Sequence, residues 1–403
     1  MKIAGILTIG NEILQGYTLD TNAQSISEEL NKRNIKTTIH LSIPDDIFKI
    51  KEKVDKFIIK NYDYIFITGG LGPTHDDITK KALIELFETE IKFLSDRHTI
   101  ISKKFNKVNL PKCQSEILAI SNPLENSIGT ALGMYFKFKK SEIIILPGVP
   151  IEMKSMLCSY LDDIKKIRKV TNNVITINTC GIYETKLYEK VKFFISKNDK
   201  HIFFSFLPSY EGVKIRLTAL SDQANLNKTK NELVKILDDY AYGIDKVTLE
   251  EKVSNILINK NLNLSICESC TGGFISKSLT DISGSSKFFI GSVVAYNNLI
   301  KQKIVKIPKV TLDKYGAVSK QVSEKMALNI SKIFKTNISI ACTGISGPEG
   351  GTKEKPLGTV FISIYYLDKI KTKKFIFNVD RKSHRLMTKQ ASLYMLWRIL
   401  KEI

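Results

Sequence analysis

Arginine is scarce in this chain: seven residues against 54 lysines, within a formal charge of +20 over 403 residues. A surface built to grip a polyanion favours the planar, bidentate arginine fork. The lysine surplus, strewn among many Ile and Asn, therefore reads as compositional drift, and a nucleic-acid partner is not expected. Cysteine is sparse as well. The six (Cys113, Cys158, Cys180, Cys267, Cys270, Cys342) are scattered, and no second CxxC or His pair exists to complete a tetrahedral site around Cys267-x-x-Cys270. That argues against a disulfide scaffold or a structural zinc and points to a reducing compartment. Long apolar runs are missing too. Stretches such as Ile143–Pro150 end far short of the roughly 18 residues that cross a bilayer. Met1–Gly10 lacks the basic start and extended apolar stretch of a secretory signal. A cytoplasmic location without membrane contact is the expectation.

What remains has the composition of a folded protein, with 43% hydrophobic and 25% charged residues. At about 150 residues per domain the length predicts two or three domains. Up to residue 161, β-branched runs alternate with helical patterns: Ile3–Ile9, Asn22–Arg33, Lys36–Leu41, Ile47–Lys60, Tyr64–Thr68, Asp77–Phe87, then Glu142–Leu146 and Glu152–Leu161. This βαβ rhythm predicts an α/β fold with a doubly wound, mostly parallel sheet. A smaller α+β stretch follows, with Val174–Thr179, Glu184–Ser196, Val213–Ala219 and Asn225–Asp238, and Gly243–Thr248 reads as a linker. From Leu249 a third, α/β unit begins. The expected domains are 1–168, 169–248 and 249–403.

Two glycine-rich turns follow apolar strands in the first domain. Thr68-Gly69-Gly70-Leu71-Gly72-Pro73-Thr74-His75-Asp76-Asp77 opens a helix, where glycines admit an anion close to the main chain and the helix start favours phosphate. Asp76 and Asp77 could cap that helix or hold a divalent ion. Gly10-Asn11-Glu12 and Gly16-x-x-x-Asp20-x-Asn22 also follow a strand, and strand C-ends of a parallel sheet converge on one edge. A phosphate-plus-metal site there is the expectation.

In the last domain, Glu268-Ser269-Cys270-Thr271-Gly272-Gly273 links the strand Leu262–Cys267 to the helix Phe274–Thr280. A serine on such a turn is either a helix cap or an exposed nucleophile beside N–H groups able to hold an oxyanion. No GxSxG, HExxH or Ser-x-x-Lys occurs, and His384 is the domain's only histidine. That disfavours a Ser–His triad and leaves lysine as the base class, which must be neutral to accept a proton. Tyr296-Asn297-Asn298-x-x-Lys301 ends the strand Phe289–Ala295 and supplies a candidate, although any lysine could be nominated on these grounds. Thr343-Gly344-Ile345-Ser346-Gly347-Pro348 and Gly350-Gly351-Thr352 suit ribose and phosphate contacts or form a plain surface loop. Arg381 and Arg385, four apart, would share a helix face and suit either phosphate binding or ion pairing.

These motifs together resemble the CinA family. TIGNEILQG, DTN, TGGLGPTHDDIT, GTALGM and LPGVPIEM resemble its molybdopterin-binding-type (MoaB/Mog-like) N-terminal domain. Residues 170–245 resemble its KH-like middle domain, here without the GxxG clamp by which KH domains hold nucleic acid. ESCTGG, DISGSS, AYNNLIK, GAVS, TGISGPEGG and KPLGTV resemble its C-terminal nicotinamide-nucleotide amidase domain. The resemblance implies a bifunctional hydrolase of nucleotide salvage whose partners are small phosphorylated nucleotides, assembled as a homodimer. One half would deamidate nicotinamide mononucleotide through a Ser269/Lys301 dyad with Tyr296 alongside, needing no cofactor. Its ligand contacts would come from Thr271, Gly272, Gly273, Thr343, Gly344, Gly347, Arg381 and Arg385. The other half would hydrolyse the pyrophosphate of ADP-ribose with a divalent metal on Glu12, Asp20, Asp76, Asp77 and Glu152. Its ligand contacts would come from Gly69, Gly70, Gly72, Thr74, Gly129 and Thr130. Where the family carries a basic Lys-Gln element, this chain has Pro111–Ile117, removing a cation from beside the pyrophosphate. The rival reading is a non-enzymatic binding protein of DNA uptake (competence) or molybdopterin chemistry.

Overall fold

The computed structural model describes residues 2–106, 109–167, 174–220 and 224–402. The chain divides into two compact units that meet between Asn173 and Val174. The expected boundary at 168/169 lies outside the described residues.

In the first unit, β1 (Lys2–Ile9), α1 (Thr21–Asn31), β2 (Ile35–Ile43), α2 (Ile47–Ile59), β3 (Tyr64–Thr68) and α3 (Thr79–Phe87) follow one another. After them come β4 (Asn122–Leu124), β5 (Gly133–Phe138), β6 (Ser141–Leu146) and α4 (Pro150–Ser159). One six-stranded sheet has the order β2-β1-β3-β6-β5-β4. β2, β1, β3 and β6 run parallel, while β5 and β4 add antiparallel pairs. β3 is buried along its whole length, as expected of a central strand covered on both faces. Separate apolar clusters account for this: Ile50, Val54 and Leu83 belong to one, and Ala23, Ile26 and Met153 to the other. Arg33 is engaged internally, with Glu29 at 2.7 Å and Asp162 on its other nitrogen.

The second unit opens with β7 (Val174–Thr179), α5 (Glu184–Asn198), β8 (Ile202–Ser209), β9 (Gly212–Ala219), α6 (Leu226–Leu237) and β10 (Ala241–Ile244). These strands form an antiparallel sheet ordered β8-β9-β7-β10. The expected linker is thus partly strand: Gly243 and Ile244 pair with β7, and Asp245 donates its N–H to the Thr176 carbonyl.

Next come α7 (Leu249–Asn259), β11 (Leu264–Glu268), α8 (Phe274–Thr280), β12 (Phe289–Val294) and α9 (Asn298–Lys303). They are followed by α10 (Lys320–Phe334), β13 (Ile338–Gly344), β14 (Thr359–Tyr366), β15 (Lys369–Ile376) and α11 (Arg381–Glu402). The five-stranded sheet runs β12-β11-β13-β14-β15; its first three strands are parallel and the last two antiparallel. α11 ties the two sheets of this unit together. Its Lys389 reaches both Glu211 (3.0 Å) and Glu250 (2.7 Å), and Tyr242 packs against Trp397. Among the described residues no helix is long and apolar enough to cross a membrane.

Candidate functional site

β11 lies between β12 and β13, and all three point the same way. Their C-terminal ends therefore deliver three chain segments to one edge: the Ser269 turn, the Tyr296–Lys301 segment and the loop after Thr343. The Ser269 turn is held from several sides. Its backbone N–H donates to the Cys342 carbonyl of β13 (3.1 Å), and Gly272 and Gly273 take left-handed φ values of 60° and 90°. The fully buried Glu268 carboxylate accepts the N–H groups of Ile275 (3.0 Å) and Ser276 (2.9 Å) and the Ser276 hydroxyl (2.6 Å), seating α8 against the turn.

Lys301 is 1% exposed. Asn297 caps α9 through the Leu299 N–H (2.8 Å), which fixes the helix that aims Lys301 inward. The amine lies 3.0 Å from Ser269 Oγ, 2.6 Å from the Ala295 carbonyl and 3.2 Å from the Tyr296 carbonyl. Burial pushes its pKa down from the ordinary lysine value, because an ammonium loses hydration in such a place. The surrounding thiols pull it the other way: burial raises Cys267, a hydrogen bond with Cys342 together with burial raises Cys270, and the same hydrogen bond lowers Cys342. As an ammonium its three N–H groups serve the Ser269 oxygen and the two carbonyls; loss of one proton leaves two for the carbonyls and a lone pair facing the Ser269 hydroxyl.

The pocket at this edge, about 220 Å³, is lined by Ser269, Cys270, Tyr296, Asn298, Lys301, Ala317, Val318, Thr343, Gly344, Ser346 and Arg381. Arg381 donates to the Tyr296 phenol oxygen (2.6 Å) and to the Gly347 carbonyl (2.8 Å), placing a cation at the mouth. Thr343 lines the pocket while its hydroxyl donates to the Ala317 carbonyl (2.9 Å).

Two expected ligand contacts are engaged elsewhere. Thr271 is fully buried with its hydroxyl on Cys342 Sγ (3.1 Å). Arg385 forks onto the Thr271 carbonyl (3.0 and 2.7 Å). Both hold the Ser269 turn instead of facing the pocket, since a buried turn must satisfy its backbone carbonyls.

A lysine general base predicts a pH limb. Rate per substrate should climb as Lys301 loses its proton, with a midpoint below 10.5, the ordinary lysine value, because burial lowers it. A kcat/KM that stays flat with pH, measured by ammonia release, would contradict this assignment.

In the first unit the glycine turns meet at the corresponding edge. β2 and β3 lie on opposite sides of β1, so the crevice beyond Ile9 and Thr68 is the topological switch point where open α/β sheets take ligands. Gly69 (φ 107°) and Gly70 (φ 66°) form the turn, and a Cβ on Gly72 would lie 2.5 Å from the Asp77 carboxylate. Asn22 bridges the edge, donating to Thr68 Oγ1 (3.0 Å) and the Gly148 carbonyl (2.8 Å).

The five carboxylates expected to bind metal do not assemble. Asp20 caps α1 through the Ala23 N–H (2.9 Å), Asp77 accepts both the N–H and the hydroxyl of Thr74 (2.8 and 2.5 Å), and Glu152 accepts from Asn126 (2.7 Å). Thr74 is thereby engaged too, and Gly129 packs against Glu152 so closely that a Cβ would lie 2.1 Å from its carboxyl carbon. Thr130, next to it, is half-buried. Among the described residues no three His, Cys, Asp or Glu side chains stand together as a metal site. Sequence reasoning missed Asp45, which accepts the Asn11 N–H (2.9 Å) and feels the charges of Glu12 and Asp76. Burial, and then the charges of those two neighbours, raise the Asp45 carboxyl. Lys80 was missed as well: it follows the DDIT motif and donates to the Cys113 carbonyl inside the altered Pro111–Ile117 segment.

Fold and site together define a two-unit α/β protein with a switch-point glycine turn in one unit and a buried serine–lysine pair in the other. The family profile described as CinA C-terminal domain matches residues 246–400, and that described as probable molybdopterin binding domain matches residues 5–166. A CinA-like protein of Cytophaga hutchinsonii is 38% identical, over 99% of this chain and 98% of the relative; one of Thermosipho melanesiensis is 37% identical, over 99% and 100%. The chain belongs to the CinA family. Among solved structures, the protein CinA with unknown function from Thermoplasma acidophilum is 32% identical with a TM-score of 0.38, spanning 40% of this chain and 98% of its own. Membership is consistent with a nucleotide-modifying role.

Proposed function

We propose that the second unit is a nicotinamide-nucleotide amidase, converting nicotinamide mononucleotide to the acid and ammonia. The observation that carries this reading is the buried Lys301 amine 3.0 Å from Ser269 Oγ. Ser269 Oγ adds to the carboxamide carbon while Lys301 accepts the hydroxyl proton. The C–N bond of the resulting tetrahedral adduct breaks, and Lys301 returns the proton to the departing ammonia. Water then adds to the acyl-serine, giving up a proton to Lys301, and the acid leaves as Ser269 regains its hydrogen. Arg381 at the mouth suits the nucleotide phosphate.

For the first unit we propose binding of the ADP-ribose pyrophosphate at Gly69–Gly72 and Gly129-Thr130, supported by the switch-point position of the glycine turn. Among the described residues the carboxylates as arranged do not form a metal site. A product assay with both nucleotides tests the two halves. Ammonia from nicotinamide mononucleotide is expected without added metal. ADP-ribose binding is expected with or without a divalent ion; hydrolysis that appears with the ion and stops with its chelator would show instead that the carboxylates gather around a metal. No ammonia would overturn the amidase reading, and ADP-ribose binding without cleavage would limit the first unit to binding. Tight duplex DNA binding with neither hydrolysis would favour the competence-type binding protein.

A further inference from the structure

The pocket holds a second polar device that the serine–lysine chemistry does not use. Ser346 lines it, and its hydroxyl oxygen lies 2.9 Å from Nδ1 of His384. His384 is fully buried, and its Nε2 lies 3.2 Å from the Gly358 carbonyl oxygen. A carbonyl only accepts, so Nε2 carries the ring hydrogen and Nδ1 presents a lone pair. The Ser346 hydroxyl must therefore donate to Nδ1, and its proton is directed away from the pocket. Burial lowers the His384 pKa and keeps the ring neutral, so this polarity holds at neutral pH.

What faces the ligand is then an oxygen that can accept but not donate. We infer that Ser346 is the residue that distinguishes the carboxamide substrate from its carboxylate product, by accepting an amide N–H that the product lacks. This rests on the amidase reading above. A carboxylate at the same place has only lone pairs to offer and meets another lone pair, so the group formed by the reaction is disfavoured where it is made. A site built around a hydrogen bond rejects the analogue that cannot form it far better than an apolar pocket rejects a small change of shape.

Binding measurements test this independently of turnover. In the full chain carrying Ser269→Ala, calorimetric titration should show nicotinamide mononucleotide binding about tenfold more tightly than the acid. Adding Ser346→Ala should weaken the amide about five- to tenfold and tighten the acid, which no longer meets the Ser346 lone pair. Adding His384→Phe should likewise tighten the acid, because the freed hydroxyl can turn and donate to a carboxylate. A merely structural role would move both ligands together. Equal shifts for amide and acid, or an unchanged amide affinity in the Ser346→Ala variant, would overturn the inference; Ser346→Ala alone decides if His384→Phe does not fold. Ammonia release by the unaltered chain, assayed separately, reports on the amidase reading itself.

Discussion

Replacing Lys301 with Met is expected to lower ammonia release from nicotinamide mononucleotide by at least about a thousandfold, with Ser269→Ala as severe. The reason is the isolation of the pair. The Ser269 hydroxyl is an unreactive nucleophile until a base takes its proton, and the group positioned to do so is the Lys301 amine at 3.0 Å. The one histidine of this part of the chain faces Ser346 instead. Because both residues act in one step, the double variant should be no slower than the worse single one. Ammonia release under saturating substrate, with circular dichroism to verify folding, measures this. A tenth of the original rate surviving in either single variant would remove the dyad from the mechanism.

Gly69→Ala should destabilise the first unit by at least about 3 kcal/mol. Two costs coincide there. The backbone sits at φ 107°, which L side chains rarely adopt, and a Cβ would lie 2.2 Å from the Ile9 carbonyl oxygen at the end of β1. Relief would require moving β1 or β3, the two strands that frame the crevice. Gly16 is the control. Its φ of 77° is also left-handed, but a Cβ there meets nothing within 4 Å, so Gly16→Ala should cost only about 1 kcal/mol. The unfolding transition of the first unit, followed by urea denaturation and limited proteolysis, gives both numbers. Equal costs at the two positions would show that the approach to Ile9 is not what demands glycine.

Much of this architecture was legible from local pattern. The run Tyr64–Ile67 is apolar at every position and closes on the β-branched Thr68, as suits a strand buried on both faces, and it is β3, inside the sheet. Ser269 before Gly-Gly announced a strand-to-helix turn, and the turn is there. Other elements gave weak signals. Lys369–Ile376 is a lysine-rich edge strand, with a composition that suits solvent and discourages edge pairing, so its strand character shows only through its pairing with β14. The strand Ile202–Ser209 carries a proline near its end, which weakens its strand signal; as the edge of its sheet it tolerates one.

The roles of individual polar residues divide in the same way. By itself the sequence determined the order of the units, the glycine turns and the motifs that carry Ser269, Lys301, Arg381 and Arg385 in the final domain, because these depend on neighbours a few residues away. Only the tertiary structure decided which of the 54 lysines are buried and which of those, Lys301, stands against Ser269. It also put Arg381 at the pocket mouth but Arg385 on the Thr271 carbonyl, and it dispersed the five carboxylates among caps and turns. Proton affinity, ligand access and metal-binding capacity are set by burial and by partners remote in the chain. Ser269 and Lys301 stand 32 residues apart, and Tyr296 and Arg381 stand 85 apart; no local spacing encodes the packing that joins them.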